Sequence, residues 1–382
     1  MEKMNTDTTC VDWQVDLNRM GENIIVGYVP YSKDLQHPGD RRRLAAWALN
    51  KGVELNLTNP LDSDILVLSN AANFNYWIKR AKQPVILDLV DGYLGEQPNF
   101  AKDLARNIVR SLRRTSDLRW ITYTHHVREA CKKADTVIVA SIEQKETVLS
   151  FNNKVHVILD DLSELDSSAQ SKLNESLSSH QSTLSGYIFW EGFGYTLKHF
   201  RMVAKDLDRF LSHGGWGMYL VTNEQFPRWG GYIGTFRTKN LIEKWFPLSS
   251  KSIHIIPWSI ENVLRYSNHS SLAIIPINSN DKFAAMKPEN KLLSMWHLGL
   301  PTLFSKIPSY DRVAREADLE FACIASDFWY QRLLEVHDSE STLEEMRTKG
   351  KEYIDRYHTH DILIEKWNTA LTQSIEIFND NI

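Results

Sequence analysis

Cysteine is scarce in this chain. Only Cys10, Cys131 and Cys323 occur in 382 residues, far apart and without a CxxC pair. That excludes a disulfide framework and a cysteine-built zinc site, and it points to a reducing compartment. An excess of charge of one sign is also missing. The 44 basic residues against 48 acidic ones give a net of -4, so broad affinity for nucleic acid or an anionic surface is not expected and any anion site has to be local. Long apolar runs are lacking too. The opening MEKMNTDTTCVDWQVDLNRM holds no signal-peptide core, and no later stretch is uninterrupted enough to span a bilayer. A cytoplasmic protein is the expectation. Asp62-Ser63-Asp64 has the letters of a metal-binding Asp-x-Asp but directly precedes a strand and reads as a turn, so no metal is expected.

What is present suits two well-packed cores. Hydrophobic residues make up 42% and aromatics 11%, with 12 Trp, and the length exceeds what one core usually organises. Short continuous apolar runs alternate with helical patterns, the signature of parallel α/β sheets. Strands are expected at 23–29, 64–68, 84–90, 135–140 and 155–159, with helices at 41–51, 74–82, 127–133 and 142–149. A Ser-rich tract, SSAQSKLNESLSSHQSTLS, interrupts the pattern and reads as a connection. A second series follows, with strands at 186–190, 217–221, 252–257, 272–276 and 301–305. Its helices are expected at 197–211, 260–266 and 291–298, and a helical region at 343–378 closes the chain. The organisation expected is a domain over 1–165, a linker over 166–185, a second domain over 186–360 and a closing helix over 361–382. Two open sheets of this type bind ligands at the carboxyl ends of their strands.

The most informative stretch is Lys287-Pro288-Glu289-Asn290-Lys291, which feeds a helix that stops at Gly299-Leu300-Pro301. A helix amino terminus offers free N–H groups and a positive dipole end, and two lysines beside it complement a diphosphate. The alternative is a solvated helix start. In the first half, Asp88 and Asp91 follow a buried strand, where an acid reaches a cleft and acts as base or orients a hydroxyl, or caps a loop. His125 and His126 precede a helix and are candidates for proton transfer or charge stabilisation. The 101–120 segment places Lys102, Arg106, Arg110, Arg113, Arg114 and Arg119 among apolar residues at helical spacing. This basic face either docks on an anionic membrane or is simply solvated.

Taken in order, these motifs resemble GT-B glycosyltransferases, in particular those of bacterial surface-polysaccharide assembly. Asn290-Lys291 with Gly299-Leu300-Pro301 is similar to their donor-site helix. Ala134 to Ser141 with Glu143-Gln144-Lys145 resembles a passage late in their amino domain. Phe189-Trp190-Glu191-Gly192 resembles the first strand and glycine loop of their donor domain, and Ile253 to Trp258 its nucleobase-side strand. The resemblance runs over most of 22–370. It implies two Rossmann-like domains facing a cleft, with the closing helix returning toward the amino domain. It also implies a hexosyltransferase-like activity with no cofactor, taking a UDP- or GDP-sugar as substrate and a glycan or lipid-linked acceptor. At the donor, Asn290, Lys287 and Lys291 would meet the diphosphate, Gly192 and Gly194 would let backbone approach it or form an ordinary tight turn, Trp258 would sit near the base or in the core, and Glu289 would stand in part for a missing glutamate. Retaining members carry two glutamates eight residues apart, and here the matching positions are Met286 and Ser294. This departure makes a non-catalytic homologue in a polysaccharide assembly complex the second reading, and because one fold serves several chemistries a nucleotide-sugar epimerase is the third.

Overall fold

The computed structural model describes residues 24–94, 108, 122–166, 186–213, 215–227, 234–325 and 328–380. The opening segment with Cys10, the basic residues of the 101–120 face and all but the first residue of the 166–185 connection lie outside these residues.

Two parallel six-stranded sheets organise the molecule. The first contains β1 (Val26–Val29), β2 (Leu55–Asn56), β3 (Ile65–Ser69), β4 (Val85–Leu89), β5 (Thr136–Val139) and β6 (Val155–Val157), in the order β2-β1-β3-β4-β5-β6. Strand alternation sorts its residues into two cores. Leu66, Leu68, Leu87, Leu89, Val137 and Val139 pack on one face, and Ile65, Val67, Ile86 and Ile138 on the other. The closing helix His360–Asp380 covers that second face with Leu363, Ile364, Trp367 and Leu371. It thus returns to the amino domain, as expected.

The second sheet contains β7 (Gly186–Glu191), β8 (Trp216–Thr222), β11 (Ile253–Pro257), β12 (Leu272–Ile275), β13 (Thr302–Ser305) and β14 (Cys323–Ile324). Between β8 and β11 the chain forms an antiparallel hairpin outside the sheet, β9 (Gln225–Pro227) and β10 (Thr235–Arg237). The sheet order is β11-β8-β7-β12-β13-β14. The strand order reverses between β7 and β12, and it is at such a switch point that open α/β sheets bind ligands.

Several helices depart from the expected bounds for identifiable reasons. The helix expected over 41–51 is two, Pro38–Arg41 and Leu44–Lys51, broken where Arg43 leaves helical dihedrals and sends its guanidinium into the core. Gly52 ends the second in a left-handed conformation, φ 65°. The helix expected over 197–211 is a 3-10 turn, Gly194–His199, leading into Phe200–His213. The closing region divides into Glu340–Tyr357 and His360–Asp380. No helix among the described residues is long and apolar enough to cross a membrane.

Candidate active site

The cleft between the sheets holds a cavity of 180 Å³. Asp91, just beyond β4, lines it from the amino side. Trp190 at the end of β7, Thr196 and His199 on the 3-10 turn, and Lys287, Asn290 and Lys291 at the start of helix Asn290–His297 line it from the carboxyl side.

Lys291 is the pivot. Its ammonium donates to the Glu191 carbonyl at 2.6 Å, lies 3.7 Å from Glu191 Oε1 and sits 4.8 Å from the centre of the Trp190 ring. Burial pushes its pKa down against the pull of Glu191, and neighbouring Lys287 pushes it further. Burial also acts against the Glu191 carboxylate, but Lys291, Arg42 and the Trp258 indole together outweigh it and leave that carboxyl below its usual range. Trp258 Nε1 donates to Glu191 Oε2 at 3.0 Å, and Arg41 lies 5.7 Å from the Trp258 ring. Gly192 makes this packing possible. Its φ of 153° disfavours a side chain, and a Cβ there would lie 2.7 Å from Lys291 Nζ.

The surroundings of His199 favour its neutral ring. Burial, reinforced by Lys287 and Lys198, pushes its pKa down to about 4. Its Nδ1 accepts from the Asn278 N–H at 3.2 Å, so the proton of the neutral ring is on Nε2. Asp91 is shifted the other way: burial raises its carboxyl, opposed by Lys287 and by the Gly92 N–H that donates to it at 2.8 Å. Asn290 lines the cavity while its Oδ1 accepts from the Asp160 N–H at 3.2 Å.

Five candidates from the sequence have other surroundings. Asp88 is fully buried and does not reach the cleft, because it shares the face of β4 that carries Ile86 and packs beneath the closing helix. Its Oδ2 accepts from Arg43 Nε at 2.9 Å and its Oδ1 from Arg43 Nη2 at 2.5 Å, a buried pair that secures the sheet. His125 is exposed and His126 buried against Phe74, and both line a separate 190 Å³ pocket on the amino domain. Glu289 turns from the cavity to Arg312, 2.7 Å away, which also holds Glu143 of the amino domain at 2.9 Å. Gly194 serves packing, since a Cβ there would lie 2.3 Å from Phe226. At the two positions matched to the glutamates, the Met286 carbonyl accepts from Gln144 Nε2 at 3.2 Å and Ser294 Oγ donates to the Asn290 carbonyl at 2.9 Å. Glu191 belongs to the site through the Phe189-Trp190-Glu191-Gly192 stretch, whereas Arg42, His199 and Tyr310 belong to it but to no local motif. The only trace of Arg42 in the sequence is the run Arg41-Arg42-Arg43.

Among the described residues no group of His, Cys, Asp or Glu is arranged to hold a metal ion. The arrangement provides two lysines, a glycine loop and a helix start on one wall and a carboxyl group on the other. It suits a phosphate-bearing ligand with a proton acceptor opposite.

This is the fold of the GT-B glycosyltransferases, two Rossmann-like α/β domains facing a cleft. S. aureus TarM, solved with fondaparinux, alpha-GlcNAc-glycerol and UDP, aligns at a TM-score of 0.53 and 10% identity over 80% of this chain and 55% of its own. The present chain therefore spans about half the length of the TarM structures it matches. WaaG, a glycosyltransferase involved in lipopolysaccharide biosynthesis, aligns at 0.53 and 12% over 91% of this chain and 97% of its own. A Listeria monocytogenes protein assigned as a UDP-N-acetylglucosamine 2-epimerase aligns at 0.50 and 9% over 93% and 97%. No protein-family model and no curated protein sequence matches the chain.

Proposed function

We propose that this chain is a metal-independent glycosyltransferase that moves a hexose from a UDP- or GDP-sugar to a glycan or lipid-linked acceptor in polysaccharide assembly. The observation that carries the reading is the shared cavity: Lys287 and Lys291 from one domain and Asp91 from the other line the same 180 Å³. In the transfer, the acceptor hydroxyl attacks the anomeric carbon and the bond from that carbon to the β-phosphate oxygen breaks. The two lysines, the Gly192 loop and the helix start receive the charge that develops on the diphosphate, and fixed donors of this kind supply most of the rate. Trp258, paired with Glu191, offers a flat surface for the nucleobase. Asp91, raised by burial, takes the acceptor proton or orients the hydroxyl. We place the protein in the cytoplasm, and the basic residues of the 101–120 segment, outside the described residues, would make a peripheral contact with the inner membrane face.

One observation favours a second reading. A protein assigned as a nucleotide-sugar epimerase is among the structural neighbours, and one fold serves several chemistries. Incubation with nucleotide-sugars, with and without acceptor glycans, separates the two. A transferase releases nucleoside diphosphate in proportion to acceptor and continues in EDTA. Conversion of donor without acceptor would establish the epimerase, and loss of turnover in EDTA would overturn the metal-free mechanism.

A further inference from the structure

A second cavity, of 510 Å³, lies outside the cleft, between the hairpin β9–β10, helix Thr238–Trp245 and the 3-10 turn Gly194–His199. The 3-10 turn separates it from the cleft. With three residues per turn, side chains three apart share a face. Tyr195 and Lys198 line the outer cavity, whereas Thr196 and His199 line the cleft.

The chemistry of the outer cavity is unlike that of the cleft. Tyr195, Phe226, Phe236 and Trp245 supply an aromatic wall in which Phe226 and Phe236 are cross-strand partners with rings 5.5 Å apart. Tyr195 is 62% exposed at its rim. Lys198, Arg201 and Lys244 supply three positive charges, and no carboxylate lines the cavity among the described residues. Lys198 is partly compensated by Asp281 at 2.7 Å, while Arg201 and Lys244 have no ion pair among the described residues. Among the described residues the lining includes no side-chain amide, and its one hydroxyl is that of Tyr195. The amino and hydroxyl donors of a sugar ring or a nucleobase edge would find only the Tyr195 hydroxyl as acceptor among the described lining side chains, which disfavours both. An apolar chain loses nothing in such a wall, and an anionic head group meets the cations.

We propose that this cavity binds an anionic amphiphile, with an alkyl or isoprenyl chain against the aromatic wall and its phosphate held by Arg201 and Lys244. The site is independent of the donor reading, because none of the residues that hold the phosphate lines the cleft.

The test is isothermal titration of the intact protein with decyl phosphate below its micelle concentration, with decanol and inorganic phosphate as controls. Decyl phosphate is expected to bind saturably and at least about tenfold more tightly than either control. The double variant Arg201→Ala/Lys244→Ala changes two exposed side chains. It should keep its thermal transition and weaken binding by about tenfold or more. A bromine-terminated decyl phosphate should quench tryptophan emission in the native protein and lose most of that quenching in Trp245→Phe. Equal affinity for inorganic phosphate, unchanged affinity in the double variant, or unchanged quenching without Trp245 would each overturn the assignment. UDP titrated into the double variant reports the cleft separately, so failure of one site is distinguishable from failure of the other.

Discussion

At the scale of single residues the cleft depends on tight local packing. Gly192 leaves room for the Lys291 ammonium, and Gly192→Ala forces a methyl to within 2.7 Å of it in a backbone conformation unsuited to a side chain. Nucleotide affinity, measured by titration, should fall by about tenfold. Arg312 presents a titration effect. It faces Glu143, Glu289 and Glu316 at 2.9, 2.7 and 3.4 Å, and Oε2 of both Glu143 and Glu289 is buried without a hydrogen-bond partner among the described residues. Burial, opposed by Arg312 and aided by Glu143, pushes the Glu289 carboxyl up to about 7. A carboxyl raised on folding binds its proton more tightly in the native state. Its contribution is therefore fully present below about pH 4.5 and is lost as the pH rises to about 7. Glu289→Gln should flatten that slope, by on the order of a few kcal/mol between the two ends, in urea unfolding followed across this range.

At the scale of elements, most of the strands were legible because strands buried on both faces are continuous apolar runs, and 136–139 and 272–275 read directly as such. Short or exposed pieces were not. The two-residue strands β2 and β14 and the hairpin β9–β10 have too few residues for any period, and only the neighbouring chain defines them. Asp88 was misplaced for a related reason. Which face of β4 meets the closing helix is set by residues almost 280 positions later, about Trp367, so parity along the strand was known but its direction was not. The lysines of this helix start were legible because 287–291 is a local motif, whereas Arg42 and His199 reach them only through the fold. Three consecutive arginines illustrate this: Arg41 and Arg42 both pair with Glu164, and Arg43 pairs with Asp88. The closing helix also makes a stability prediction. Trp367 is 2% exposed, and its neighbour Asn368 accepts from Trp47 Nε1 at 2.8 Å. Trp367→Ala should cost about 3–5 kcal/mol in chemical denaturation.

At the scale of the whole molecule, two sheets with their strand ends toward one cleft bring residues from distant parts of the sequence to a single cavity. The domains are already tied beside it. Arg312 bridges to Glu143, Gln144 to the Met286 carbonyl, and Asn290 to the Asp160 N–H. Closure over a donor would tighten contacts of this kind and exclude water from the diphosphate. The central claim is that Lys291 and its surroundings bind a nucleoside diphosphate. It is tested most directly by titrating UDP, GDP, CMP and dTDP into the native protein and Lys291→Ala in metal-free buffer. The account predicts that UDP or GDP binds the native protein and binds the variant about a hundredfold more weakly. Binding of none of the four, or equal binding by both proteins, would contradict it.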